Sequence, residues 1–289
     1  MQQAKAQATP GKIVRRIPRL AEVNPEWFAV HICNQTGETY SHGDTACVFP
    51  LMSVIKPFTL LYLLENFGAQ KVLQWVGMEA SNAPFNSLEQ LIADEGRPRN
   101  PMINSGAITL ADNLPGNNAS DRTQNICQWL NHIAGCNLHL DEEMLASVRS
   151  AKNQTNQALA EYLAQAGYID DVEIALDTYE QICCLSGQVG DLALLGNLLV
   201  ENIHHIVPEN RRFVNAVMLT CGLYQASPVA AVKIGLPIKS GVSGALLAIV
   251  PSQGAIACYS PELDNVGNPA VGLAFLEILS QQLQLSVFG

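Results

Sequence analysis

Ser53 and Lys56 stand three residues apart in the string FPLMSVIKPF (49–58). At the start of a helix that spacing puts both side chains on one face. A serine hydroxyl is a weak nucleophile until a base takes its proton, and an uncharged lysine amine can be that base. The bland alternative is a helix cap followed by a surface charge. A second lysine element, Lys239-Ser240-Gly241, lies late in the chain. Enzymes with a Ser-x-x-Lys nucleophile carry a Lys-Thr/Ser-Gly strand that closes the site from the opposite wall. Alone, KSG reads as a strand end and a turn. Both elements together, in this order, point to serine acyl transfer. Free amides at the helix N-terminus behind Ser53 can stabilise an anion there.

Such a site needs elements to hold it. WFAVHICNQ (27–35) is rich in strand-favouring residues and stops at a TGE turn. TACVFPL (45–51) follows HGD, and the two runs read as a β-hairpin. SVIKPFTLLYLLENFG (53–68) reads as a helix, with Pro57 in its first turn and Gly68 as its stop. From about 69 to 225, apolar residues recur at spacings of three and four, from AQKVLQWVG through VGDLALLGNLLVEN to RRFVNAVMLTCG. Polar loops interrupt them, among them EGRPRNPMINSG and NLPGNNASDRTQ. The period then changes to β-like in AAVKIGLPIKSG, SGALLAIVPSQ and GAIACYSP. NPAVGLAFLEILSQQLQL closes the chain as a helix, with Asn268 as its cap. The expected fold is α+β. One antiparallel sheet is built from the N- and C-terminal segments (about 11–68 and 226–289), with flanking helices. An all-helical lobe (about 69–225) is inserted between them, and 1–289 forms a single catalytic domain.

Composition narrows the function. The 289 residues are 48% hydrophobic and 15% charged, ample for a large core. A net charge of −10 argues against nucleic acid and anionic membrane as partners. The eight cysteines make no CxxC pair and sit mostly in apolar runs such as QICCLSG. Buried free thiols in a reducing compartment are the expectation. MQQAKAQATPGK has no apolar core and is not a signal peptide, and no segment reads as a membrane span. The expected location is the cytoplasm. The six histidines form no ligand set, so no metal and no other cofactor is expected.

Three longer strings carry a resemblance: FPLMSVIKPF, GRPRNPMINSGAI (96–108) and GLPIKSGVSG (235–244). IPRLAEV, TGETYSHGD and TCGLY support it. From about residue 11 to its end the chain resembles the glutaminases, serine-dependent amidohydrolases with a β-lactamase/transpeptidase-like fold. The resemblance implies Ser53 as nucleophile and Lys56 as its general base. It implies an oxyanion hole made by the backbone N–H groups of Ser53 and Val242. Asn104 would bind the substrate carboxylate and Asn156 would line the pocket. Tyr179 and Tyr224 match the two active-site tyrosines, and Lys239 supplies the positive charge beside Lys56. The expected reaction releases ammonia and leaves an acyl-enzyme for water to cleave. A homodimer or homotetramer is implied as well.

The chain departs from its family where substrate should lie. Met52 replaces the usual Gln or Glu before the nucleophile, and Arg16 replaces a Tyr before IP. Seven residues before Asn156, where the family has the Glu that holds the substrate α-ammonium group, stands Arg149. Thr155 replaces a common arginine, and Glu142 and Glu143 sit at the wrong spacing to stand in. Two unit charges about 4 Å apart interact by roughly 4 kcal/mol at an effective dielectric of 20, so a cation facing the ammonium would repel it. Three readings stay open: an amidohydrolase with altered recognition, an ordinary glutaminase with Arg149 turned to solvent, and a weak or inactive homologue acting as a sensor or binding protein.

Overall fold

The structure, a computed structural model, describes residues 1–200 and 206–289. Its strands are β1 (Ala29–Asn34), β2 (Thr39–Gly43), β3 (Phe49–Pro50), β4 (His139–Leu140), β5 (Leu185–Gly187), β6 (Ile238–Ser240), β7 (Ala245–Val250) and β8 (Gly254–Tyr259). The two ends of the chain meet in one antiparallel sheet of order β2-β1-β8-β7-β6, as expected. β3, β5 and β4 form a second, small sheet.

β7 and β8 are buried along their whole length. Successive side chains point to opposite faces of a strand. Leu246, Ala248 and Val250 join a core that the C-terminal helix (Ala270–Leu283) covers. Ala245, Leu247 and Ile249 face the other way, into a larger core shared with the helical region. Each fully buried leucine here contributes about 1.5–3 kcal/mol relative to exposure. That larger core runs without a break from the sheet into the helices between residues 56 and 221.

Several local expectations need correction. The hairpin partner of β1 is β2, with Cys33 opposite Thr39, and not the 45–51 run. TYSHG is exposed at every position, an edge strand with no apolar alternation to reveal it. Phe49–Pro50 pairs instead with β5, and the Leu51 N–H donates to the Leu185 carbonyl at 2.8 Å. The 230–241 run is strand only at its end, because Ser227–Lys233 is a short helix with Pro228 in its first turn. Asn268 does not cap the last helix; Pro269 precedes it, and Asn268 Oδ1 accepts from the Ser240 hydroxyl at 2.6 Å. Gly68 breaks the helical geometry (φ 74°), as its reading as a stop implies, but the helix resumes to Trp75. EGRPRNPMINSG is loop only up to Ile103, since helix Asn104–Asp112 begins inside it. Helix Leu88–Ala93, capped by Ser87, went unread. The end of VGDLALLGNLLVEN, residues 201 and 202, lies outside the described residues.

Candidate active site

Ser53 sits in a short 3-10 turn, Met52–Ile55, that runs directly into the helix Lys56–Trp75. The turn is held from both sides. The Phe49 ring stacks on Tyr259 of β8, centroids 4.4 Å apart. The end of β6 comes in opposite: a Cβ on Gly241 would lie 2.7 Å from the Leu51 carbonyl oxygen, so glycine alone permits that approach. The two lysine elements, far apart in sequence, are therefore brought together. Met52, directly before Ser53, has φ +47°, a left-handed backbone that non-glycine residues rarely adopt and that clusters at functional sites.

Lys56 is 2% exposed. Its Nζ donates to the Met102 carbonyl at 3.0 Å and to Asn104 Oδ1 at 2.9 Å. Burial lowers its pKa to about 8, with the neighbouring Cys183 acting weakly the other way. An uncharged amine has two N–H groups and one lone pair. Two acceptors use both N–H groups and leave the lone pair for a proton. Lys239, wholly buried, donates to its neighbour's carbonyl, that of Ser240, at 2.8 Å and to Tyr224 Oη at 3.3 Å. Burial, then the charge of Lys56, depresses the Lys239 pKa strongly.

Tyr224 links this lysine to the serine. Burial pushes its phenol pKa up to about 12, opposed by a hydrogen bond with the Ser53 side chain. Its backbone is left-handed (φ +56°), and the Phe85 ring packs on it at 4.8 Å. On the other side Asn104 is the hub. Its Oδ1 also accepts from the Tyr179 hydroxyl at 3.2 Å, and its Nδ2 donates to Asn156 Oδ1 at 2.9 Å. One Nδ2 hydrogen remains for a ligand. Asn104 is presented by GRPRNPMINSG, which is pinned by the side chain of Asn100. Asn100 Nδ2 donates to the Glu79 carbonyl at 2.7 Å, and its Oδ1 accepts from the Met102 N–H at 3.0 Å. Arg99 grips Asp94 with two bonds of 2.6 and 2.9 Å in the same loop.

Ser53, Asn104, Asn156, Tyr179 and Val242 line one pocket. The Val242 N–H enters no backbone hydrogen bond among the described residues. Arg16 and Met52 line the pocket too. Arg149 does not. It lines a neighbouring groove, where its guanidinium pairs with Asp177 and its Nε lies 3.6 Å from Glu180. Sequence reasoning missed Glu180 and Cys183, both of which line the Ser53 pocket. Their signal was spacing: Glu180 adjoins Tyr179, and Cys183 follows it by four on the same helix, Val172–Cys183. Burial lifts the Cys183 thiol to about 11, so it stays protonated and a poor nucleophile at neutral pH. Among the described residues no His, Cys, Asp and Glu group could hold a metal, and no helix is long and apolar enough to cross a membrane.

A model of the glutaminase family matches residues 11–288. The chain belongs to the glutaminase family. It is an amidohydrolase of that type. A glutaminase of Synechocystis sp. is 47% identical over 280 residues, covering 96% of this chain and 86% of the relative. A glutaminase of Pseudoalteromonas atlantica is 38% identical and covers 100% of this chain and 97% of the relative. Among solved structures, the probable glutaminase YbaS superposes with TM-score 0.93 at 34% identity, covering 99% of this chain and 96% of that one. A probable glutaminase from Bacillus subtilis, complexed with 6-diazo-5-oxo-L-norleucine, gives TM-score 0.87 at 30% identity over 96% of this chain and 90% of that one. The β-lactamase-like α+β architecture is thus that of the glutaminases.

Proposed function

We propose that the protein hydrolyses the side-chain carboxamide of L-glutamine, or of a glutamine-like substrate, to the acid and ammonia. The single observation behind this reading is Lys56, buried on the same turn as Ser53, its pKa lowered to about 8 and two acceptors holding its Nζ. Ser53 Oγ attacks the carboxamide carbon while Lys56 takes its proton. The tetrahedral oxyanion is stabilised by the Ser53 and Val242 N–H groups. Collapse of the intermediate breaks the C–N bond, and the amine leaves as ammonia with the proton that Lys56 returns. Tyr224 relays between the Ser53 hydroxyl and Lys239 and keeps the Ser53 rotamer aimed. Tyr179 and Asn156 hold Asn104, whose remaining N–H faces substrate. Water then repeats the sequence on the acyl-enzyme and releases the acid.

The specificity reading belongs to the same proposal. Arg16 and Met52 line the pocket and Arg149 stands behind Glu180, at three positions where glutaminases usually carry other residues. Recognition of the amino-acid end is therefore altered from the family pattern. A sensor with a spent site has no use for a lysine buried at this cost beside a serine.

We read residues 1–289 as one catalytic domain, the sheet lobe and the helical lobe sharing the larger core. The protein acts without a cofactor, as a homodimer or homotetramer, in a reducing cytoplasm that suits its eight unpaired thiols. Light scattering that gives only monomer at micromolar concentration would refute the oligomer. The function is tested by ammonia release from L-glutamine, glutaric monoamide, 2-oxoglutaramate and N-acetylglutamine. Turnover of at least one supports the reading, and turnover of none overturns it in favour of a binding protein.

A further inference from the structure

Two of the side chains lining the Ser53 pocket are of opposite charge type: Arg16, a base, and Glu180, an acid. Arg16 is exposed and forms no ion pair among the described residues. Burial raises the Tyr179 phenol pKa well above its ordinary value, and the charge of Arg16 is near enough to oppose that rise slightly. Glu180 is largely shielded, its side chain 23% exposed. A carboxylate in such a place needs a cationic partner. Arg149 is that partner only loosely. Its guanidinium binds Asp177, three residues before Glu180 on the helix Val172–Cys183, and its Nε is 3.6 Å from Glu180 Oε2, beyond hydrogen-bond range. Glu180 thereby has a cation behind it in the adjoining groove while keeping acceptor capacity toward the pocket. Arg149, with its charge spent on two carboxylates, no longer repels a cation in the pocket.

A small amide bound with its carboxamide at Ser53 must meet this charge pair with its other end. An α-amino acid presents one cation and one anion there, on a single carbon. We propose that Glu180 receives the substrate α-ammonium group and Arg16 the α-carboxylate, with Arg149 as the residue that positions Glu180. The inference rests on the amide-hydrolase reading above and says which residues of this chain meet the two charges of an amino-acid substrate. The acid that the family carries at position 149 has in this chain been replaced in function by one from a different helix, packed against it.

Two truncated substrates separate the charges. Glutaric monoamide lacks the amine, and 4-aminobutanamide lacks the carboxylate. For Glu180→Gln, kcat/KM on L-glutamine and 4-aminobutanamide should fall about 10- to 100-fold, as expected for one lost charge-assisted hydrogen bond. Glutaric monoamide should be unchanged. For Arg16→Met the pattern reverses: L-glutamine and glutaric monoamide fall by a similar factor and 4-aminobutanamide is spared. For Arg149→Met, KM for the two amine-bearing substrates rises several-fold while kcat holds, and glutaric monoamide is again unaffected. Melting curves confirm that each variant is folded. If Glu180→Gln lowers all three substrates alike, or spares L-glutamine, the inference is overturned while the amide-hydrolase reading stands. If the unmodified protein turns over none of the three, both fall together.

Discussion

At the buried end of the site, behind the pocket lining, Lys56 and Lys239 are 2% and 0% exposed, each held by short bonds to carbonyl, amide or hydroxyl oxygen. At the open end Arg16 lies exposed in the pocket, and in the adjoining groove the Arg149 and Asp177 side chains are 47% and 42% exposed. The buried end shifts pKa values, because desolvation weighs on any charge placed there. The open end leaves its charges in contact with water and screened, suited to selecting a ligand rather than to moving a proton. A dry end can be altered only at great cost to rate. Changes at a wet end, Arg16 included, should leave the rate of the chemistry in place and alter substrate choice.

The sharpest way to break this contrast is at the dry end. Ser53→Ala and Lys56→Ala should each lower kcat by about 10⁴-fold or more, since residues that act as one unit fail together. The double variant should be little worse than either single one. Rates of ammonia release with circular dichroism as a fold control decide it. A loss under tenfold in Ser53→Ala would remove the serine from the chemistry. Tyr224→Phe keeps the ring against Phe85 but deletes the hydroxyl between Ser53 and Lys239. It should cost about 10²-fold in kcat, in the range of one proton-relay group, with KM little changed.

Next in size is pH. Lys56 must be uncharged to act, and its pKa is lowered to about 8. The log of kcat/KM should rise with slope near one below pH 8 and level off above it. Variants at the wet end, Arg16→Met included, should leave that limb in place. A profile flat from pH 6 to 9 would contradict Lys56 as the base.

The smallest effect is on stability, and it has the opposite sign. At pH 7 Lys56 is mostly protonated in both the folded and unfolded states, so the folded state bears the cost of burying its charge. The gap between about 8 and the ordinary 10.4 corresponds to about 3 kcal/mol. That cost fades as pH rises from 8 toward 10.4 and is absent above. Lys56→Met removes it but leaves the Met102 carbonyl without its partner, a loss of about 1–2 kcal/mol. The inactive variant should therefore be about 1–2 kcal/mol more stable at pH 7, by urea titration, and should lose the advantage near pH 10. A variant less stable at pH 7 would mean that the ammonium is better solvated than its burial implies.

The dry end was the legible part of the sequence. Ser53 and Lys56 are linked by local helical spacing, and Lys239 by a strand motif, so short strings carried them. The change from helical to strand period marked which segments share the sheet. What stayed hidden was set by partners distant in sequence or by polar edges. β2 lacks apolar residues, so only its pairing with β1 defines it. Asn268 looked like a cap until Ser240 claimed its side chain. Arg149 was legible as a departure from the family pattern, but it lines the adjoining groove, where it meets Asp177 and Glu180 on another helix. Glu180 carried no motif at all.

The central claim, a serine nucleophile served by a buried lysine, is tested most directly by covalent labelling with a diazoketone analogue of glutamine. The proton leaving the enzyme nucleophile ends on the diazo carbon, and the nucleophile bonds to the resulting CH2 as N2 leaves. Peptide mapping by mass spectrometry after stoichiometric labelling should find one adduct, on Ser53, absent from Ser53→Ala and strongly slowed in Lys56→Met. An adduct on Cys183, the other nucleophilic atom lining the pocket, or labelling that survives Ser53→Ala, would contradict the account.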